Sequence, residues 1–197
     1  MALVTMIRHG EPIPDVVGTH YGDVDVALSD RGRSQSAAVV LRLAEEAFDA
    51  IWSSNLERAM YLAERLAAPR ALTVQIDPAL RERAVGVFQG MTYAEADAAY
   101  PQESRDMRQN SAGHQLPGGE NMNDLAERVL PALSRILPAH QEQHIAIAGH
   151  GGPIRIVLGH ALGLPIEQLD RIRIDYCRVS TVEFRTDGGM RVIRMNA

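Results

Sequence analysis

Short runs of apolar, partly β-branched residues alternate along this chain with longer stretches whose apolar positions recur every three or four residues. Runs of the first kind read as buried strands and stretches of the second kind as amphipathic helices. Leu3-Val4-Thr5-Met6-Ile7 predicts an opening strand, and Ser29-Asp30-Arg31-Gly32 then starts a helix whose apolar side carries Ala37, Val40, Leu41 and Ala44. A second strand, Ala50-Ile51-Trp52-Ser53, leads into a helix marked by Ala59, Leu62, Ala63 and Leu66, which stops before Pro69. Val74-Gln75-Ile76 is a short strand, residues 120–137 a long helix, 144–149 a buried strand and 154–162 the helix after it. The chain closes on 180–184 and 190–194 around Asp187-Gly188-Gly189, a hairpin signal.

Strands alternating with helices predict an α/β fold: a mixed, mostly parallel sheet, reached by right-handed crossovers, with helices on both faces and an antiparallel edge from the hairpin. No linker or repeat divides residues 1–197, which read as one domain. The least regular stretch, 101–119, holds Asn110-Ser111-Ala112-Gly113 and Leu116-Pro117-Gly118-Gly119 and reads as a loop or lid.

Chemistry-bearing residues cluster at one address, just past the strand ends. Arg8-His9-Gly10-Glu11 follows the first strand, Arg58 sits one turn into the helix after Ser53-Ser54, Glu82 lies in the irregular segment after 74–76, and His150-Gly151-Gly152 ends the strand 144–149. In open α/β sheets that edge forms the ligand crevice. Arginine offers a planar fork of donors suited to phosphate, and a neutral imidazole is a nucleophile near neutral pH. Taken singly, each has a plain structural reading: Arg58 as a solvated charge, His150 as a helix cap, Glu82 as a partner of Arg81 or Arg83. Four such placements together favour phosphoryl transfer through histidine.

Composition narrows the partners. The chain of 197 residues carries Lys+Arg 20 against Asp+Glu 25, a formal charge of -5, and its basic residues form no stripe. Nucleic acid is therefore not an expected partner, although a few arginines can make one cleft locally positive. The lone Cys177 allows no internal disulfide or thiolate metal cage and reads as ordinary packing, which points to a reducing, cytoplasmic setting. No segment approaches the length that spans a membrane, and no signal peptide is evident. His140 and His144 are spaced like a helical metal-ligand pair, but the strand beginning at His144 breaks that geometry, so they read as surface residues and no metal is expected.

In order and spacing these motifs resemble the histidine phosphatase superfamily, which includes cofactor-dependent phosphoglycerate mutases, fructose-2,6-bisphosphatase domains and alpha-ribazole phosphatases. The resemblance runs from Arg8-His9-Gly10 through Leu28-Ser29, Gly32 and Gln35, Ser53-Ser54 with Arg58-Ala59, and Glu82 with Gly86, Gly90, Thr92 and Glu95. It continues in Pro117-Gly118-Gly119-Glu120 and ends in His150-Gly151-Gly152. It implies a three-layer, phosphoglycerate mutase-like sandwich with no metal or organic cofactor. It makes His9 the phosphorylated nucleophile, puts Arg8, Arg58 and His150 around the phosphoryl oxygens, and makes Glu82 the proton donor to the leaving oxygen. Glu11, Tyr21, Gly22, Arg83 and Gly151 would contact the substrate, a small phosphorylated metabolite, and related enzymes often form homodimers.

The same resemblance separates hydrolysis from mutase chemistry. Where mutases have an asparagine and then an arginine after Arg-His-Gly-Glu, this chain has Asp15 and Thr19; where they have a lysine after the glutamate segment, it has Tyr93. Hydrolysis of a small phosphate monoester is the expected reaction, with mutase-type transfer as the alternative, since Arg83, Arg105 and Arg108 could still serve an anionic substrate. A non-catalytic phosphoester-binding protein is the third reading, against which stands the presence of all five key residues.

Overall fold

The computed structural model describes residues 1–197. Its centre is a six-stranded sheet in the order β3-β2-β4-β1-β5-β6. The strands are β1 (Ala2–Arg8), β2 (Ala50–Ser53), β3 (Val74–Ile76), β4 (His144–Gly149), β5 (Val179–Phe184) and β6 (Met190–Arg194). β1, β2, β3 and β4 pair in parallel, while β5 runs antiparallel to β1 and carries β6 on its outer edge. The helices are α1 (Asp30–Arg42), α2 (Glu57–Ala67), α3 (Tyr93–Ala99), α4 (Pro101–Gln109), α5 (Met122–Ile136) and α6 (Gly151–Leu162).

Side chains alternate across a strand, so β1 and β4 feed two cores. Val4, Met6, Ile145 and Ile147 face α5 and α6, packing on Leu125, Val129, Leu133 and Val157. Ile7, Ala146, Ala148 and Ile51 face the other way, onto Val39 of α1, Leu43 just past its end, and Leu62 and Leu66 of α2. The result is helix, sheet, helix. Register then fixes the site: Arg8 lies beside Gly149 and Ser53 beside Ala148, so β1, β2 and β4 end side by side.

Two helices differ from the sequence reading. Ser29 caps α1 as expected, accepting from the Gly32 N–H, but the buried face is Gly32, Ser36, Val39 and Leu43, and Leu41 is 77% exposed. Packing on a loop sets this rotation. A Cβ at Gly32 would stand 2.0 Å from the Glu11 carbonyl oxygen, so the helix lies directly on the backbone after β1. Ser36 turns inward because its hydroxyl donates to the Gly32 carbonyl at 2.8 Å.

The stretch 101–119 is not simply a loop, since α4 occupies its first half and α3 precedes it. Thr92 and Glu95 close a capping box on α3, and Pro101 sits in the first turn of α4, where its missing N–H costs nothing. Around Phe88, Ala96 and Leu116 this region builds a small apolar core of its own. Of the two histidines expected at the surface, His140 is buried and His144 is half-buried. Trp52 Nε1 donates to His140 Nε2 at 3.2 Å, and His144 Nε2 lies 2.8 Å from the Thr5 hydroxyl. No group of three or more His, Cys, Asp or Glu side chains is arranged to hold a metal ion, and no helix is long and apolar enough to cross a membrane.

Candidate active site

Backbone groups fix the first member of the site. His9 is buried, and its Nδ1 lies 2.6 Å from the Gly10 carbonyl oxygen. A carbonyl only accepts, so Nδ1 carries the hydrogen and the Nε2 lone pair is left for chemistry. Burial, Arg58 and Arg8 together hold this imidazole well below the usual histidine range, so it is uncharged at neutral pH.

His150 packs against it with ring centroids 5.2 Å apart. Its Nε2 lies 2.7 Å from the Ser54 hydroxyl, which itself accepts the Leu56 N–H at 3.3 Å. In the tautomer where that hydroxyl donates to Nε2, Nδ1 of His150 bears the ring hydrogen; the buried Nδ1 has no partner within the protein. Burial, His9 and the surrounding arginines also push the His150 pKa well down.

The two arginines arrive by different routes. Arg58 is 0% exposed in the first turn of α2 and donates to the Val24 carbonyl at 2.6 Å and the Gly22 carbonyl at 2.7 Å. Arg8 donates to the Ile174 carbonyl at 2.7 Å. In both, Nε is buried and unpartnered. Arg8 Nε, Arg58 Nε and His150 Nδ1 are thus three buried, unpartnered nitrogens on residues whose charge or ring acts on His9, and an unmade bond to a buried donor costs roughly 1–3 kcal/mol. Such donors await an acceptor.

Glu82 faces this cradle from the irregular segment after β3. Its Oε1 accepts the Arg83 N–H at 2.9 Å and the Gly152 N–H at 3.1 Å. A Cβ at Gly152 would stand 2.3 Å from that oxygen, so glycine is what lets the carboxylate reach the start of α6. A Cβ at Gly151 would meet Arg8 Nε and Glu82 Oε2 at 3.7 Å each, which marks the ground between clamp and acid. The segment is tied down by Arg128 of α5, which donates to the Ala79 carbonyl at 2.8 Å and takes Glu120 in a two-pronged pair at 2.8 and 2.7 Å.

A cleft of about 220 Å³ opens beside Glu82, walled by Tyr21, Gly22, Arg83 and also by Thr19, His20 and Arg155. Glu11 lies outside it, its carboxylate turned to Ser29 at 3.3 Å and Arg31 at 3.4 Å. Asp15 is exposed in a short turn. Arg105 and Arg108 bond to Gln102 and Asp97 on α3 and α4 and do not line the cleft. Sequence reasoning missed Arg155, the fifth residue of α6, whose Nε donates to the Ile172 carbonyl at 2.7 Å. It also missed Tyr176, whose ring lies 4.0 Å from the Arg8 guanidinium carbon, and the Arg128–Glu120 brace.

The model of the histidine phosphatase superfamily (branch 1) matches residues 4–197. The chain belongs to that superfamily. The 2,3-bisphosphoglycerate-dependent phosphoglycerate mutase 2 of Gloeobacter violaceus is 30% identical over 201 residues, covering 99% of this chain and 91% of its own. The glucosyl-3-phosphoglycerate phosphatase of Mycolicibacterium vanbaalenii is 34% identical over 173 residues, covering 83% of this chain and 76% of its own. Among solved structures, the alpha-ribazole phosphatase of Shigella flexneri superposes with a TM-score of 0.90 at 25% identity, over 99% of this chain and 96% of that one. This histidine phosphatase is thus similar to both mutases and hydrolases.

Two buried histidines with depressed pKa values give a signed prediction for stability. Below the ordinary value of 6.5 the unfolded chain protonates both, whereas the fold admits neither proton until much lower pH. Their contribution is complete above that value and is lost as pH falls through the folded pKa values, with a slope of up to about 2.7 kcal/mol per pH unit for the pair. Urea midpoints measured from about pH 7 down to about pH 5 should fall accordingly, and His150→Asn should flatten the slope; a slope unchanged in that variant would mean His150 is not held neutral.

Proposed function

We propose that this histidine phosphatase hydrolyses a small phosphate monoester through a phosphohistidine formed on His9. The observation that carries the reading is the set of three unpartnered buried nitrogens, Arg8 Nε, Arg58 Nε and His150 Nδ1, on residues whose charge or ring acts on a neutral imidazole. A phosphoryl group in flight spreads negative charge over its equatorial oxygens and is stabilised by donors already in place. The Nε2 lone pair of His9 attacks phosphorus as the ester P–O bond breaks, and Glu82 gives its proton to the departing oxygen. The ionised carboxylate then takes a proton from water as that water attacks phosphorus. The N–P bond breaks, its electrons return to Nε2, and inorganic phosphate leaves. None of these steps calls for a metal or an organic cofactor.

Arg83 and Arg155 set the leaving-group side of the cleft, flanking Glu82. They favour an ester whose alcohol carries a second negative charge, in keeping with the phosphoglycerate derivatives in the names of the two relatives. The same arginines favour the alternative reading, mutase-type transfer. Hydrolysis is preferred because Thr19 lines the cleft and Tyr93 is exposed at the places where mutases carry basic side chains. A panel of phosphorylated metabolites scored by phosphate release decides between them: release without added 2,3-bisphosphoglycerate is expected, and isomerisation that depends on that compound would select the mutase. The buried free thiol of Cys177 suits a cytoplasmic setting.

A further inference from the structure

Arg8 is held from three directions by the segment that precedes β5. The Ile174 carbonyl accepts from its NH1 at 2.7 Å, and the Cys177 N–H donates to the Arg8 carbonyl at 3.0 Å. Between them the Arg8 guanidinium carbon lies over the Tyr176 ring, 4.0 Å from its centroid. The same ring packs at a tilt of 44° against the His9 imidazole, with centroids 5.6 Å apart. Across the cradle the second clamp has a matching support, the Arg58 guanidinium lying 5.2 Å from the centre of the Tyr21 ring. One end of the Arg8 fork is therefore bonded and one face stacked, which leaves Nε directed at the site without a partner of its own.

We propose that Tyr176 is a positioning residue: its ring sets the plane of the Arg8 guanidinium and seats His9, so that Arg8 Nε and His9 Nε2 present themselves to one phosphoryl group. An arginine on an aromatic face gains electrostatically from the ring's negative face, and gains more where water is excluded. The Ile174 carbonyl fixes one nitrogen but leaves the fork free to swivel about that bond. The stack removes this freedom. The contacts to Arg8 and His9 are made by the ring, while the phenolic hydroxyl is engaged with that of Tyr21 on the far side of the cradle, so the ring is what acts on Arg8. The role in turnover rests on the proposed phosphoryl-transfer reaction, whereas the role in holding an anion does not.

The test therefore reads both. Tyr176→Phe keeps the ring and should bind inorganic phosphate, and turn over a monoester, close to the native level. Tyr176→Leu removes the ring face at similar bulk and should weaken phosphate binding, measured by calorimetry, and kcat/KM by roughly 10-fold each. Should the leucine variant fold poorly, pentafluorophenylalanine at the same position keeps the shape and inverts the ring's charge pattern, and it should show the same loss at an unchanged melting temperature. Phosphate affinity equal to the native protein's in the leucine or fluorinated variant overturns the proposal, as does a phenylalanine variant that falls as far as leucine. A native protein that binds phosphate in this Tyr176-dependent way yet hydrolyses no ester would defeat the proposed function and leave Tyr176's role standing.

Discussion

His9→Ala should reduce turnover by on the order of 10⁴- to 10⁶-fold while the protein stays folded and still binds inorganic phosphate. The two halves of that expectation have separate causes. Turnover falls because the Nε2 lone pair is the only nucleophile at the cradle: Ser54 is committed to Leu56 and His150, and the Cys177 thiol is buried with its pKa pushed up to about 11. Phosphate binding persists because Arg8, Arg58 and His150 take their positions from the Ile174, Val24 and Gly22 carbonyls and from Ser54, none of which depends on the His9 ring. Steady-state rates beside phosphate calorimetry check both. Loss of phosphate binding along with turnover would mean that His9 shapes the cradle and is not simply the group that reacts.

Glu82→Gln should slow esters of ordinary alcohols by roughly 10²- to 10⁴-fold, and activated aryl esters far less, in the first turnover that phosphorylates His9. An alkoxide leaves poorly unless it is protonated as the bond breaks, whereas a nitrophenolate leaves unaided. Glutamine keeps the oxygen that accepts the Gly152 and Arg83 N–H groups, so the segment holds its shape and only the proton is withdrawn. Later turnovers on aryl esters should slow as well, because the ionised carboxylate also activates water. Equal first-turnover losses on both ester classes would remove Glu82 from the acid role.

Much of this site was legible because chemistry and topology coincide. Buried parallel strands end where the ligand crevice opens, so Arg8, His9 and His150 could be placed together from the strand runs before them. Arg58 followed from counting one helical turn past Ser54, whereas Arg155 lies deeper in its helix, as the fifth residue of α6. What escaped was what periodicity does not encode. The rotation of α1 is set by Gly32 lying on the Glu11 backbone, so Leu41 faces water despite its apolar character. α4 has a single buried residue, Ser104, and so gives almost no apolar rhythm to read; its clues were the capping box on α3 and the proline at its own start. Tyr176 escaped because its role lies in its ring's contact with Arg8, residues apart by most of the chain and joined only where β5 pairs with β1. His140 and His144 turned inward for a like reason, since Trp52 and Thr5 reach them from neighbouring strands.

The covalent step is the centre of this account and can be caught directly. Brief mixing with a monoester carrying labelled phosphate, followed by an alkaline quench and peptide mapping, should place an acid-labile, base-stable phosphoryl group on His9. Label that persists in His9→Ala, or native protein that turns over substrate while never carrying label on that imidazole, would contradict it.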